Sequence, residues 1–471
     1  MGFSSLIFLT LFLPVVIGLH LVLPGKARNG FLLLASLFFY AWGEGEFLLL
    51  MLGSILANYL FGLLIGRVAE KKRKKRVLAL AIVANLGALA FFKYAHLLAD
   101  TLNPLLFHWG LPLWVFEPIH LPLGISFFTF QALSYLIDLY RGAFEVQKNP
   151  FHLGLYISLF PQLVAGPIVR YQDWYGQLKD RHIPGLELSE GASRFVIGLA
   201  KKVLIADQLA PIADKAFSLA PEQLSPGLAW LGILCYSLQI YFDFSGYSDM
   251  AIGLGRMLGF QLPENFNYPY ISRSIREFWR RWHISLSTWF RDYLYLPLGG
   301  NRLGNYRTYF NLATVFVLCG LWHGANWAFL FWGIYHGFWL MLERGIWGKR
   351  LERSSTFFRW CYVWLVVMIG WVFFRAENWD LAIHYLAAMT GMGPKQAIPY
   401  PMFLLWNTHR GLALLMGLML SAPLYLRWTK WSTARGPVWK RVEWALGLVL
   451  LVLCLTQLVM SQYHPFIYFR F

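Results

Sequence analysis

The sequence predicts an all-α, polytopic membrane protein, and three observations carry that expectation. Hydrophobic residues make up 58% of the 471 positions and charged ones only 14%, too apolar a balance for a soluble fold. Apolar stretches near the roughly 20 residues that a helical span needs recur from the beginning of the chain to its end. The 41 Lys and Arg, against 24 Asp and Glu, sit between or beside those stretches, as positive-inside topology requires. The net charge of +17 is thereby explained without nucleic acid. What remains for the basic side chains is lipid headgroups or an anionic donor. One integral membrane domain over residues 1–471 is expected, with no room for a large soluble module.

Taken in order, the apolar stretches fall near residues 4–23, 30–42, 47–66, 77–93, 121–140, 152–169, 192–220, 226–242, 309–343, 357–375 and 411–461. The last is long enough for two helices, broken by the basic stretch 427–441. Together they predict about 11 spans plus re-entrant or interfacial pieces. The first stretch lacks a preceding Lys or Arg and a small-residue cleavage site, so it is expected to stay as a span. Between two spans lies Lys71-Lys72-Arg73-Lys74-Lys75-Arg76, a loop that belongs on the cytoplasmic side. Counting back places Lys26 and Arg28 inside and the N-terminus outside. The four cysteines, Cys235, Cys319, Cys361 and Cys454, are far apart in apolar surroundings and read as buried thiols without metal or disulfide roles.

Residues 265–305 differ in kind. Arg273, Arg276, Glu277, Arg280, Arg281, His283, Arg291, Asp292 and Arg302 stand among aromatics, and so charged a segment is tolerated at membrane depth only beside a cavity, inside protein or at the interface. Arg276, Arg280, His283 and Ser287 share one face of a helix by spacing, with Phe278, Trp282, Leu286 and Trp289 on another.

Of the 12 histidines, most, including His20 and His464, lie at segment ends or in loops and read as solvated or interfacial. His323 is different, because Leu318-Cys319-Gly320-Leu321-Trp322-His323-Gly324-Ala325-Asn326-Trp327 is almost uncharged and an ionisable group there is costly. A neutral imidazole in that place can act as a general base, or be a hydrogen-bonded core residue. Gly320, Gly324 and Ala325 admit a second backbone or a narrow acyl chain. On a continuous helix His336 points away from His323 and reads as a packing residue.

Asp243 and Asp249, in Tyr241-Phe242-Asp243-Phe244-Ser245-Gly246-Tyr247-Ser248-Asp249, have two readings. They orient a histidine or pair with the arginines of the charged segment, or Asp243 caps a following helix. Gly255 and Gly259 form a small-xxx-small packing pair. No His-Glu-x-x-His, Cys-x-x-Cys or phosphate-binding glycine loop occurs, so no metal and no bound cofactor are expected.

Three motifs carry a family resemblance: Glu277-Phe278-Trp279-Arg280-Arg281-Trp282-His283-Ile284-Ser285-Leu286-Ser287-Thr288-Trp289, then Arg291-Asp292-Tyr293-Leu294-Tyr295, then Leu321-Trp322-His323-Gly324-Ala325. With Leu121 to Phe127, Leu163 to Ile168 and Asp243 to Gly255, the chain resembles the membrane-bound O-acyltransferases along nearly its whole length. Within them it is most similar to the branch that acetylates bacterial extracytoplasmic polysaccharides such as alginate. The resemblance implies a ring of helices around a tunnel, His323 as catalytic residue and His283 as its partner. It further implies a cytoplasmic thioester donor, acetyl-CoA, and a bacterial inner-membrane location. A soluble extracytoplasmic acetyltransferase of the SGNH-hydrolase type would collect the group for the polysaccharide. Arg276, Arg280 and Arg281 would face the donor phosphates, with Asp243, Asp249, Ser287 and Asn326 in support.

The C-terminal His464-Pro465-Phe466-Ile467-Tyr468-Phe469-Arg470-Phe471 is too short to span and too apolar for a solvated end. Residues 462–471 are expected to fold back, or to anchor at the interface. By resemblance to an aromatic partner peptide of the D-alanylation systems, Tyr468 would carry the acyl group in relay. The competing functions are D-alanyl or peptidoglycan acyl transfer by the same chemistry, and a transporter or scaffold in which His323 is structural.

Overall fold

The computed structural model describes residues 2–178, 185–393, 400–434, 437–460 and 466–467. Among them every regular element is helical and no strand occurs. Five helices are long and apolar enough to cross a bilayer: Phe47–Arg67 (α1), Lys71–His108 (α2), Pro226–Met257 (α3), Thr356–Arg375 and Arg441–Met460. The expected number of about 11 spans is not established by these five. The expected fold class, a multi-pass helical membrane protein, is what the chain forms.

Contacts cluster into two compact units, Met1–Ala192 with Ala251–Pro263 and Ser193–Met250 with Glu264–Phe471. The first unit is pinned by rings of Phe8, Phe12, Phe39 and Phe160, with Phe12 and Phe160 edge to face at 5.3 Å. The stretch 152–169 is not one span, because the helix stops at Ser158 and restarts at Phe160. The Phe160 amide donates to Ser36 Oγ instead. Asn58 of α1 and Asn85 of α2 exchange side-chain hydrogen bonds at 2.8 and 3.1 Å, a polar clasp between two lipid-facing helices. His20 is buried in this unit, contrary to the solvated reading.

The Lys71 to Arg76 cluster is not a loop. It forms the first turns of α2, leaving only residues 68–70 as the connection. Lys and Arg are good helix formers, and a 38-residue helix continues past the roughly 20 residues that lipid covers.

In the second unit, α3 runs unbroken through Asp243, so that residue is mid-helix and caps nothing. The helix ends where Gly259 takes φ +80° and the Phe260 amide donates to the Gly255 carbonyl at 2.7 Å. Gly259 is therefore a helix stop, which only a residue tolerant of positive φ fills cheaply, rather than half of a packing pair. Asp243 and Asp249 do not meet the arginines of 273–281. Asp243 pairs with the buried Lys202 at 2.8 Å, which also holds Asp207, and Asp249 pairs with Arg194 and Lys201 at 2.6 Å each. The buried Lys202 and Asp243, distant in sequence, neutralise each other here, because a buried charge left alone costs about 3–5 kcal/mol.

Ile275–Arg281 (α4), Ile284–Phe290 (α5), Gly304–His323 (α6), Trp327–Arg344 (α7) and Thr356–Arg375 (α8) frame the site. Helices α6 and α7 cross in backbone contact, since a Cβ on Gly320 would strike the Phe329 carbonyl and one on Gly333 the Phe316 carbonyl. Cys235, Cys319 and Cys454 are buried as expected, but Cys361 on α8 is only half-buried.

Near the end of the chain, Phe466 and Ile467 are buried. The Ile467 amide donates to Asp243 Oδ2 at 2.7 Å, and Phe466 packs on Tyr247 at 4.7 Å. Tyr468 and His464 lie outside the described residues.

Candidate active site

The segment expected as one amphipathic helix is two short ones with an elbow. Ser274 starts α4 by accepting from the Glu277 amide at 3.0 Å. Glu343, from α7, accepts the Ile275 and Arg276 amides at 2.6 and 2.9 Å. A carboxylate on the first free amides satisfies donors that the helix itself cannot. After Arg281 the chain turns at His283, whose φ of +44° is unusual for a residue with a Cβ. It then begins α5. Continuous 3.6-residue spacing does not survive the elbow, yet Arg276, Arg280, His283 and Ser287 all line one cavity of about 220 Å³. The polar face expected from the sequence is thus assembled by the turn instead of by one helix.

His323 lines the same cavity from the last residue of α6. Gly324, Ala325 and Asn326 then break the run, with Asn326 accepting from the Ala328 amide to start α7 and donating to the Glu377 carbonyl. The single helix expected over 309–343 is therefore two, and the angular separation inferred for His336 has no continuous helix to rest on. His336 is buried outside the cavity lining, edge to face with Trp279 at 4.9 Å and Trp332 at 5.2 Å. His323 is enclosed by rings too, at 4.9 Å from Trp322, 5.1 Å from Trp332 and 5.2 Å from Phe374.

The cavity has a graded character. Arg276, Arg280 and Arg291 are exposed, whereas His283 and His323 are buried, with Trp279, Leu286, Leu312, Val315, Phe316 and Cys319 supplying apolar wall. Arg280 makes no ion pair among the described residues, while Arg281 is held by Glu277 at 2.9 Å and donates to the Asn267 carbonyl. Arg281, Asp243, Asp249 and Asn326 are absent from the cavity lining. His283 lies between two seven-residue helices, outside the spanning segments, and burial pushes its imidazole down to about 3. It is neutral at physiological pH.

Residues 123–376 match the family model described as "MBOAT, membrane-bound O-acyltransferase family". The chain belongs to that family. It is 49% identical, over 83% of its own length and 79% of the other, to a protein of Azotobacter vinelandii named "Probable alginate O-acetylase AlgI". A Pseudomonas putida protein of the same name is 42% identical over the full length of both chains. The "Peptidoglycan O-acetyltransferase" of Helicobacter pylori is 40% identical over 83% of this chain and 80% of that one. This O-acyltransferase is accordingly a multi-pass membrane enzyme that moves an acyl group from a donor to an acceptor.

Two residues of the O-acyltransferase site escaped the sequence reading. Glu343 sits at the end of an apolar run, and nothing local ties it to an amide about 67 positions away. Asn265 lies in Pro263-Glu264-Asn265-Phe266-Asn267-Tyr268-Pro269, a proline-bounded stretch with no motif. Its carbonyl accepts from the Ile284 amide while the Asn267 amide donates to the Arg281 carbonyl, so this stretch runs along the elbow and carries Asn265 to His283.

Proposed function

We propose that the chain is an O-acetyltransferase of a bacterial inner membrane, N-terminus outside. It takes acetyl from cytoplasmic acetyl-CoA and passes it toward an extracytoplasmic polysaccharide of the alginate kind through a soluble acetyltransferase partner. The observation that carries this reading is one shared cavity with exposed guanidinium groups at one part of its lining and two buried imidazoles at another. Guanidinium groups suit donor phosphates, and the apolar wall suits the short acyl arm. The names of the relatives supply the acetyl group and the class of acceptor.

In this reading His323 is the general base. It takes the proton of an incoming hydroxyl while the oxygen bonds to the thioester carbonyl carbon. The C–S bond then breaks, and the thiolate leaves as the thiol with the proton returned from His323. Proton transfer of this kind contributes about 10²- to 10⁴-fold. We extend the proposal to Tyr468 as intermediate acceptor of the acetyl group, on the resemblance of the aromatic C-terminal segment to the partner peptide of the D-alanylation systems.

The test is transfer from radiolabelled acetyl-CoA by the purified full chain in nanodiscs. His323→Ala should lose transfer by about 10²- to 10⁴-fold while its melting temperature holds. Label retained on the wild type and absent from Tyr468→Phe supports the relay. Transfer unaffected by His323→Ala overturns the catalytic assignment.

A further inference from the structure

The buried contacts of His283 define which of its nitrogens carries the proton. Asn265 and His283 are 1% and 2% exposed, so no bulk water competes for their hydrogen bonds. Asn265 Oδ1 accepts from the Ser285 amide at 3.2 Å and from Ser285 Oγ at 2.9 Å, and it lies 3.1 Å from His283 Nδ1. A backbone amide is a donor only, so the atom facing it is the side-chain oxygen and not the NH₂. That NH₂ is engaged elsewhere, donating to Ser248 Oγ of α3 at 3.1 Å. An oxygen opposite Nδ1 demands a proton on Nδ1. In a neutral ring Nε2 is then a bare acceptor, and it has no hydrogen-bond partner among the described residues. The ring is steadied by Phe244, edge to face at 4.7 Å.

We propose that Asn265 is a positioning residue for acyl transfer: it locks His283 as the Nδ1–H tautomer, so that Nε2 meets the substrate as a hydrogen-bond acceptor. The inference rests on the acetyl-transfer reading of the cavity and deepens it. An imidazole in that state cannot donate to the thioester carbonyl, so holding that carbonyl is not its task. It receives a substrate O–H or N–H, which is the acceptor hydroxyl or an amide of the pantetheine arm. Ser285 and Ser248 take part through Asn265, the first by occupying the same oxygen and the second by fixing the amide's orientation.

Two measurements on the full chain in nanodiscs test this, one independent of turnover. Nitrogen-15 NMR of histidine-labelled protein, with the His283 signals assigned by their loss in His283→Gln, reads the tautomer directly. The wild type should show Nδ1 protonated and Nε2 bare. Asn265→Leu, close in volume but without the acceptor, should lose that preference and lower kcat for acetyl transfer by about tenfold, the scale of one misplaced hydrogen bond. Asn265→Asp should restore both, because a carboxylate oxygen accepts from Nδ1 and the Ser248 hydroxyl can turn to donate to the other oxygen. Were Asn265→Leu to misfold, Asn265→Asp and Ser285→Ala would still be read by NMR. A wild-type ring protonated on Nε2 overturns the inference, as does Asn265→Leu with unchanged tautomer and kcat. Activity lowered in His283→Gln but intact in Asn265→Leu overturns it and leaves the acetyl-transfer reading standing. A wild type that transfers no acetyl sinks that reading, while the NMR result still decides the tautomer.

Discussion

His283 and His323 line one cavity and are held in contrasting ways. His283 stands at an elbow between α4 and α5, in a left-handed backbone conformation, with Nδ1 bonded to Asn265 and the Asn265 carbonyl accepting from the next amide. His323 closes the regular helix α6 and is bounded by the rings of Trp322, Trp332 and Phe374. His283 has Nδ1 within hydrogen-bond distance of Asn265, and His323 packs against three aromatic rings. A ring whose proton is fixed serves as a constant acceptor. Under the proposed function His323 moves the proton and His283 accepts a hydrogen bond from the substrate.

The contrast is broken most sharply by exchanging the ability to move a proton. His323→Gln should cost about 10²- to 10⁴-fold in kcat. His283→Gln, which keeps a side-chain acceptor, should cost only about tenfold, the worth of one hydrogen bond of roughly 1.4 kcal/mol. Steady-state kinetics in nanodiscs decide the order, and a larger loss at His283 reverses the assigned roles. Next in size are the arginines. Arg280→Ala, which removes a guanidinium with no ion pair among the described residues, should raise the KM for acetyl-CoA by about tenfold, the loss of a charge-assisted contact. Arg281→Ala should act mainly by lowering the melting temperature, since that side chain bonds Glu277 and Asn267. The smallest effect belongs to His336→Phe, which replaces a ring packed on Trp279 and Trp332 outside the cavity lining. Transfer should change by less than about threefold, in keeping with a volume-conserving core swap. A loss as large as that of His323→Gln would bring His336 into the chemistry.

A comparison of two spans shows why some features were legible. Over its apolar window Pro226–Met257 is 78% buried and Arg441–Met460 only 6%, although both are apolar enough to cross lipid. Hydropathy registers that a segment avoids water and is blind to whether protein or lipid covers it. Charge runs were legible as boundaries but not as structure, so Lys71 to Arg76 marked the edge of a span while its helical state depended on continuing into α2. The aspartates of α3 were misread because both partners of Asp249, and Lys202, approach from other parts of the chain.

The sequence by itself determined that the chain is helical and embedded in lipid. It also marked His323 and the 276–287 segment as candidates, because ionisable groups amid apolar residues are costly. The tertiary structure alone decided that Arg276, Arg280, His283 and Ser287 meet through an elbow and that two helices, not one, carry His323 and His336. It alone brought Glu343 to the start of α4 and Asn265 to His283. Periodicity is a local property that ends wherever the backbone turns. The hydrogen bond that sets a buried imidazole's proton joins residues whose separation in sequence carries no signal at all.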